Sequence, residues 1–592
     1  MIFGKHINHY YLRLSWLILP GLLSLVFVDV LQLEIPRLYQ MVINGLNTGE
    51  VEQDGVLHVF DLDFLLDHIC LPMIGVLLGM IVTRVLWRLC LMGAAARMET
   101  DLRNRMFDHC KDLSRQYYHT NKVGNLMSLF TNDLDTVQSC FGWGLLMMVD
   151  ASFLGFLALL KMWNMNPLLT VLSMIPMFFL IAIAVIVGRS MMKKWDVRQE
   201  AFSHLSDFSQ ESFSGIAVIK SFVKEFRELM AFRALNRANE DANVEYTKVS
   251  TLLRIFVTLF VESVICVILG FGGFLVYSDV FNAGELIEFM GYFTSIVWPV
   301  IAVSDLMESR SRGKASLKRI SALLDAPCDV KDASDVKEVS SFRGDLEFRN
   351  LTFRYPGAEF DALRNISFHI QNGENVGLVG KTGSGKTTIV DLILRAYNVP
   401  DGTLFVDGMD VNQVRIRDVR DACAYVPQDN FLFSDTIARN ISFGVEDESA
   451  EAIEHYADLA DVHENISDFK DGYQTVLGER GVTVSGGQKQ RISIARALMR
   501  NAPILILDDS VSAVDTKTEK VILDNLRKTR KGKTTILIAH RISTVESMDK
   551  IIYIDEGALV AVGTHEELCN TCPDYLKMVN LQKLAEEEQN NA

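Results

Sequence analysis

Six apolar spans in the first half of the chain constrain the fold more than any other feature. Each approaches the roughly 20 residues that a helix needs to cross the hydrocarbon core of a bilayer. They lie near 12–33, 69–92, 141–163, 167–189, 252–276 and 286–304. The sequence therefore predicts an all-α membrane domain of six transmembrane helices.

The charges between the spans predict how they are oriented. The connection 47–68 carries only acidic charges, and 277–285 also lacks lysine and arginine, whereas 93–133 and 190–251 are rich in both. Positively charged connections remain in the cytoplasm. We therefore predict a multi-pass protein of the cytoplasmic (inner) membrane, with both termini and both long connections in the cytoplasm.

The remaining segments divide the chain further. The long connections have few glycines or prolines and a helical spacing of apolar residues, so the membrane helices are predicted to extend into the cytoplasm, with interruptions near Gly124 and Gly215. Beyond an acidic stretch, short β-prone runs separated by glycine turns are typical of a soluble α/β domain. The predicted parts are a membrane domain (1–324), a linker (325–340) and a soluble domain (341–592).

Charge and cysteine content exclude some functions. The net charge of −16 argues against a nucleic-acid partner, because phosphate binding needs a basic surface. The nine cysteines are scattered, and only Cys569 and Cys572 form a CxxC pair. His565 is the only other candidate zinc ligand near this pair, so we expect no zinc site there.

A glycine-rich segment follows the short apolar strand 375–379 and precedes a helix predicted to begin at Thr388. Glycines in such a segment let backbone N–H groups surround the phosphates of a nucleotide, while a lysine adds positive charge and a hydroxyl binds Mg²⁺. Asp508, after the strand 504–507, suits a second magnesium position. The segment predicts an ATP–Mg²⁺ site and consists of Gly380, Lys381, Thr382, Gly383, Ser384, Gly385, Lys386 and Thr387.

A second glycine-rich helix start lies further along the chain, at Ser485, Gly486, Gly487 and Gln488, before a helix predicted from Lys489 to about Arg500. It is a second anion site. Both sites can serve one nucleotide only if two copies face each other head to tail. These residues resemble the signature of the ATP-binding cassette (ABC) family, and the whole chain resembles a half-transporter of the exporter type.

The resemblance implies roles for further residues. Tyr355 would stack on adenine, and Gln428, after the strand 422–426, would contact Mg²⁺ and sense the membrane domain. His540, after the strand 535–539, would contact the γ-phosphate. Taken singly, these residues could equally be a core tyrosine, a turn glutamine and a strand-end histidine. The resemblance also implies a dimer-spanning loop at 512–515 and coupling helices near 120–137 and 211–225.

Asp509 departs from the family pattern, in which a glutamate at this position polarises the attacking water. Aspartate is shorter by roughly 1.3 Å, and a misplacement on the order of 1 Å can lower a rate by about 10²-fold. Either the backbone adjusts and Asp509 still polarises the attacking water, or this chain's own site hydrolyses ATP slowly. We favour the second interpretation, because the chain then resembles the shorter-acid subunit of heterodimeric exporters. The expected partner is a second, non-identical half-transporter.

The nature of the cargo is less constrained. Asp29, Asp150 and Glu262 lie within or near apolar spans, where acids are costly. They either line a cavity that favours cationic amphiphiles or pair with neighbouring polar groups. We predict ATP-driven export of small amphipathic, drug-like molecules by a protein in contact with membrane lipid. The alternatives are a homodimeric flippase for lipids or lipid-linked molecules, and an ATP-gated channel or sensor subunit.

Overall fold

The computed structural model describes residues 3–590, except 54–55, 447–448, 479–480, 482–483, 512–513 and 540. The chain forms two compact units. The first comprises Met1–Cys110 and Gly124–Asp325, and the second comprises Lys111–Val123 and Ala326–Ala592. A short piece that lies in sequence between two membrane helices therefore belongs to the second unit.

The chain up to residue 325 is almost entirely helical. Two π-helical segments, Leu65–Cys70 and Leu129–Asp133, precede α4 and α7 respectively. The helices are α1 (Asn8–Arg13), α2 (Ser15–Thr48), α3 (Leu62–Phe64), α4 (Leu71–Asp112), α5 (Arg115–Thr120), α6 (Val123–Ser128), α7 (Leu134–Met165), α8 (Pro167–Ser214), α9 (Ile216–Ser221), α10 (Glu225–Tyr277) and α11 (Ala283–Leu324).

Within the described residues, five helical stretches are long and apolar enough to cross a membrane. They contain α2, α4, α7, α10 and α11, and α8 begins with a shorter apolar stretch, Pro167–Phe179. The predicted fold class is confirmed, and the helices extend well beyond the predicted spans. Local signals set some of their starts: Asn166 caps α8 ahead of Pro167, and Asn282 caps α11.

The membrane helices pack unevenly within the chain. Buried side chains of α2, α7, α8, α10 and α11 form one cluster, which includes Leu33, Leu154 and Phe289. Helices α2 and α11 approach closely, since a Cβ on Gly291 would lie 2.7 Å from Pro36. In contrast, only 11% of the most apolar window of α4, and of α10, is buried. These two helices therefore present apolar faces that this chain does not cover.

The predicted acidic connection between the first two spans contains a β-hairpin that the sequence analysis did not predict. Strands β1 (Glu50–Gln53) and β2 (Val56–Val59) pair in antiparallel fashion, with Glu50 opposite Val59. The alternation of Glu50, Val51 and Glu52 in β1 fits a strand with one apolar and one polar face.

The second unit is built on a ten-stranded sheet with the order β7-β6-β3-β4-β12-β11-β5-β10-β9-β8. Strands β11, β5, β10, β9 and β8 run parallel and are mostly buried, which matches their continuous apolar sequences. The strands are β3 (Leu346–Phe353), β4 (Leu363–Ile370), β5 (Asn375–Val379), β6 (Leu404–Val406), β7 (Met409–Asp410), β8 (Cys423–Val426), β9 (Ile504–Asp508), β10 (Thr534–Ile538), β11 (Lys550–Asp555) and β12 (Ala558–Gly563).

Among the described residues after 340, ten α-helices accompany this sheet. Two of them begin earlier than predicted: α12 begins at Lys386 instead of Thr388, after the left-handed Gly385, and α17 begins at Gly486 instead of Lys489, after its cap Ser485. The helices are α12 (Lys386–Ile393), α13 (Ile416–Asp421), α14 (Ile437–Ser442), α15 (Ala450–Leu459), α16 (His463–Ser467), α17 (Gly486–Met499), α18 (Thr516–Thr529), α19 (Ile542–Val545), α20 (His565–Thr571) and α21 (Pro573–Asn590).

The acidic stretch 326–340 is bound to the second unit along its length. The carboxylate of Asp332 accepts from Ile416 N at 2.8 Å, and Val339 N donates to Asp418 at 2.9 Å. Asn398 Nδ2 donates to the carbonyl of Asp329 at 2.7 Å. This stretch, which falls within the predicted linker 325–340, therefore lies against the second unit.

Candidate nucleotide-binding site

The glycine-rich segment forms a tight loop between β5 and α12. A Cβ on Gly380 would lie 2.0 Å from the carbonyl oxygen of Ile554, so only glycine fits there. Gly383 and Gly385 have φ of +81° and +99°, a region that favours glycine. Lys386 Nζ closes the loop by donating to the carbonyls of Gly380 and Lys381, at 2.8 and 2.9 Å. The loop backbone is thus held around the N-terminus of α12.

The chemistry of this loop fits a polyphosphate. An ammonium group has three N–H donors, and Lys386 uses two of them within the loop, which leaves the third for a ligand oxygen. Burial lowers the pKa of Lys386, while the nearby Asp508 and Asp509 raise it. The hydroxyl of Ser384 is buried and has no hydrogen-bond partner among the described residues. The N-terminus of α12 adds a favourable dipole for an anion.

Two acids follow β9 beside this loop. Asp508 ends the strand and is 2% exposed, and β9 lies between β10 and β8. Asp509 has a φ of +48°, and its backbone N–H donates to Ile538 O at 3.0 Å. Gln428 Nε2 donates to Asp509 Oδ2 at 3.4 Å. The structure thus brings together Gln428 and Asp509, which were predicted separately, and places Asp508 and Asp509 near Lys386.

The candidate magnesium ligands are all oxygen donors. Thr387 lies in the first turn of α12, Asp508 ends β9, and Gln428 follows β8. Hydroxyl, carboxylate and amide oxygens suit a hard cation such as Mg²⁺. These residues therefore fit the predicted ion by their chemistry.

Tyr355 belongs to a small aromatic cluster beside α12. Its hydroxyl donates to Thr388 Oγ1 at 2.9 Å, and its ring lies edge-on to Phe353 and Tyr397, with centroids 5.1 and 5.0 Å away. Burial raises the pKa of Tyr355. The structure thus places Tyr355 next to the phosphate loop. Thr382 lies in the loop itself, and His540 lies outside the described residues.

The second glycine-rich segment is a well-formed helix start. Ser485 caps α17 in a capping box, in which Gln488 N donates to Ser485 Oγ at 3.3 Å and Ser485 N donates to Gln488 Oε1 at 3.0 Å. Gly486 and Gly487 form the first turn of the helix. In the proposed dimer-spanning loop, Ser512 lies outside the described residues, and Asp515 caps α18.

Sequence reasoning missed several residues around the site. The side chain of Asp391 on α12 is only 7% exposed. Its carboxylate accepts a charged hydrogen bond from Arg115 on α5. Burial raises the pKa of Asp391, and Arg115 opposes this. Gln490 Nε2 donates to Asp509 O at 3.2 Å. The signal for the first pair in the sequence is an acid inside the otherwise apolar end of α12.

The fold and site define a class of protein: a P-loop ATPase joined in one chain to a set of membrane-spanning helices. Comparison with known families narrows this class. Residues 17–300 match the ABC transporter transmembrane region, and residues 363–512 match the ABC transporter ATPase domain. The chain therefore belongs to the ABC transporter family, as an exporter-type half-transporter that binds ATP and couples its hydrolysis to transport.

Individual relatives cover nearly all of the chain. It is 34% identical to the probable multidrug resistance ABC transporter ATP-binding/permease protein YheI of Bacillus subtilis (strain 168), over 100% of this chain and 98% of the relative. It is 34% identical to the multidrug resistance-like ATP-binding protein MdlA of Escherichia coli (strain K12), over 97% of this chain and 96% of the relative. An ATP-dependent lipid A-core flippase of Syntrophus aciditrophicus (strain SB) is 32% identical over 82% of this chain and 80% of the relative.

A solved structure shows the same fold. A bacterial Atm1-family ABC exporter with ATP bound superposes with a TM-score of 0.79, at 24% sequence identity, over 97% of this chain and 99% of that chain.

Proposed function

We propose that this chain is one half of a heterodimeric exporter that moves small amphipathic molecules across the cytoplasmic membrane. In this proposal the chain's own ATP site turns over slowly, and its signature segment completes a faster site on a different half-transporter. The observation that carries the proposal is the aspartate at position 509, beside an otherwise complete phosphate loop. The multidrug names of two relatives support the choice of cargo.

The geometry of Asp509 supports a slow site. Its φ of +48° lies in the left-handed region, which aspartate tolerates better than most residues with longer side chains. Its backbone N–H donates to Ile538 O, and its carbonyl oxygen accepts from Gln490 Nε2. The backbone is therefore fixed from two sides, which limits how far it can shift to make up for the shorter side chain.

The proposed roles of the site residues follow their positions. Tyr355 would stack on adenine, and the loop from Gly380 to Thr388 would bind the phosphates. Thr387, Gln428 and Asp508 would hold Mg²⁺, which neutralises phosphate charge when bound. Asp509 would orient water weakly, and His540 would contact the γ-phosphate. The segment from Ser485 to Gln488 would bind the γ-phosphate of ATP on the partner.

ATP hydrolysis by the purified chain alone tests the heterodimer. We expect turnover well below about 1 s⁻¹, the low end of the usual enzyme range, and little further loss in Asp509→Ala. Asp509→Glu is the matched variant, and it should raise turnover if reach limits the site. A stable homodimer that hydrolyses ATP at the usual enzyme rate, and loses this activity in Asp509→Ala, would refute the proposal.

Two lysines of the ATPase unit test the nucleotide site. Lys386→Ala should weaken ATP binding by about tenfold or more, because a charged hydrogen bond to phosphate is lost. Lys550→Ala is the control, since Lys550 lies on β11 outside the phosphate loop and its Nζ pairs with Glu374 at 2.6 Å. Binding of a fluorescent ATP analogue measures both. Equal affinities for Lys386→Ala and the unmodified chain would show that the site is wrongly assigned.

A homodimeric lipid flippase is the second candidate, favoured by the relative named as a lipid A-core flippase. The two functions differ in what stimulates ATP hydrolysis. Drug-like amphiphiles should stimulate an exporter of drugs, and lipids should stimulate a flippase. Uphill, ATP-dependent accumulation in sealed vesicles separates both from a gated channel, which allows only downhill flux.

A further inference from the structure

A cavity of about 310 Å³ lies among the membrane helices α2, α4, α7 and α11. This volume is within the range of small-molecule sites. The cavity wall combines two acids, two arginines and three tryptophans, whereas most sites of this kind are lined mainly by apolar groups. Its chemistry therefore points to a specific class of ligand.

Asp29 is the most unusual group in the wall. The residue is only 1% exposed, and its Oδ2 atom has no hydrogen-bond partner among the described residues. The second acid, Asp150, lies beside Asp29 and also accepts from Trp298 Nε1 at 2.7 Å. Ionisable side chains inside a membrane are costly, and they commonly mark functional sites. The unmatched oxygen of Asp29 is suited to accept from a ligand N–H group.

Three of the six tryptophans in the chain line the cavity. The rings of Trp87 and Trp143 meet edge to face, with centroids 6.5 Å apart, and Trp298 is held by Asp150. Tryptophan faces pack against aromatic ligands and attract cations. This lining favours a ligand with an aromatic ring and a positive charge.

Two arginines contribute the opposite charge. Arg84 and Arg88 on α4 are exposed, and the Arg88 guanidinium lies over the ring of Trp87, 5.4 Å from its centroid. Within the part of the chain that the structure describes, neither arginine forms an ion pair. The acid Asp29 is therefore deep in the cavity, while positive charge lies at its more exposed side.

We propose that this cavity binds an aromatic zwitterion, with its ammonium group at Asp29 and its anionic group at Arg84 and Arg88. The aromatic ring of the ligand packs against the tryptophans. The proposal rests on the export function proposed above and narrows its cargo from amphipathic molecules in general to those that carry both charges.

A matched series of dansyl compounds tests the proposal. Nε-dansyl-lysine is a zwitterion, dansylcadaverine is the same molecule without the carboxylate, N-dansyl-6-aminohexanoate has only the carboxylate, and N-pentyl dansylamide is neutral. Energy transfer from tryptophan to dansyl reports binding directly, because the cavity holds half of the tryptophans. Nε-dansyl-lysine should bind most tightly to the full-length transporter in lipid nanodiscs.

Substitutions then assign each charge. Asp29→Asn should weaken binding of Nε-dansyl-lysine and dansylcadaverine by about tenfold and leave the neutral compound unchanged, since a charged hydrogen bond is lost. The double variant Arg84→Gln, Arg88→Gln should weaken only the two compounds with a carboxylate. If Asp29→Asn does not fold, the double variant carries the test, because both arginines are exposed.

The control is Glu262→Gln, because Glu262 is an exposed acid on α10 that does not line the cavity. Equal binding of the neutral compound and Nε-dansyl-lysine, or an equal loss in Glu262→Gln and Asp29→Asn, would overturn the proposal. ATP-dependent accumulation in inside-out vesicles separates this failure from that of the export function. Transport without charge preference refutes only the zwitterion site, whereas charge-selective binding without any uphill accumulation supports the site and refutes the export function.

Discussion

The strands of the ATPase unit and the helices of the membrane unit are both apolar, but they differ in what covers them. Every residue of β9 and β10 is buried inside the chain. The apolar windows of α4 and α10 are only 11% buried. The hydrophobic effect therefore buries the central strands of the sheet within a single chain. The membrane helices face lipid or a second half-transporter, so their final packing is not contained in this chain.

The two units also place their buried acids differently. Asp508 ends a strand in the middle of the sheet, beside a loop built around a cationic Lys386. Asp29 lies in the middle of a helix, in a cavity with one carboxylate oxygen unmatched among the described residues. The phosphate loop is thus preformed within the chain, whereas the proposed membrane site would be completed by its ligand.

The largest expected effect tests the difference in covering. Ile506→Ala, in the fully buried β9, should lower the free energy of unfolding of the ATPase unit by about 2–5 kcal/mol, because it leaves a cavity. Leu78→Ala on α4, where the side chain is 58% exposed, should change stability by only about 0.5 kcal/mol. Thermal unfolding in nanodiscs measures both. A comparable loss for Leu78→Ala would show that this face of α4 is packed in the assembled transporter.

A smaller effect concerns the segment 111–123, which lies between membrane helices in sequence but belongs to the ATPase unit. Arg115→Ala leaves the carboxylate of Asp391 buried without its cation and should destabilise the ATPase unit by about 1–3 kcal/mol. This loss of stability is smaller than the loss expected when a fully buried ion pair is broken, because the Arg115 side chain is 46% exposed.

The double variant Arg115→Ala, Asp391→Asn is the control for this pair. It should recover most of the lost stability, because the buried charge is then removed together with its partner. Strictly additive losses in the double variant would show that the two side chains do not act as a pair.

The smallest expected effect compares one helix cap from each unit. Asn282 caps α11 and Thr564 caps α20, and both form capping boxes. Substituting either with alanine should cost about 1 kcal/mol, because capping satisfies local backbone donors whatever surrounds the helix. Asn282→Ser and Thr564→Ser keep the cap and serve as controls. If loss of the cap lowers stability several times more in one unit than in the other, the helix ends of the two units are also stabilised by different surroundings.

The elements that sequence could predict are those with local signals. Strand β5 and the loop after it follow from an apolar run and closely spaced glycines, and the start of β9 follows from its apolar sequence. The predicted helix starts were late by two or three residues, because α17 begins directly after its cap Ser485 and α12 directly after the left-handed Gly385.

The elements that sequence could not predict depend on distant partners. Arg115 and Asp391 are 276 positions apart, and nothing in either neighbourhood marks the other. Gln490 lies two residues beyond the recognised signature segment, and its bond to Asp509 depends on how α17 packs beside β9. The cavity around Asp29 needs four helices, so the acid alone could not be distinguished from one that pairs with a neighbour.

The left-handed backbone at Asp509 has a consequence in genetic terms. Codons for aspartate and glutamate differ at a single base, so a growing population samples the longer acid at this position readily. If the proposed slow site were only a defect, reversion would be within easy reach. The left-handed backbone at this position suits aspartate better than glutamate. A change to glutamate would therefore carry a structural cost.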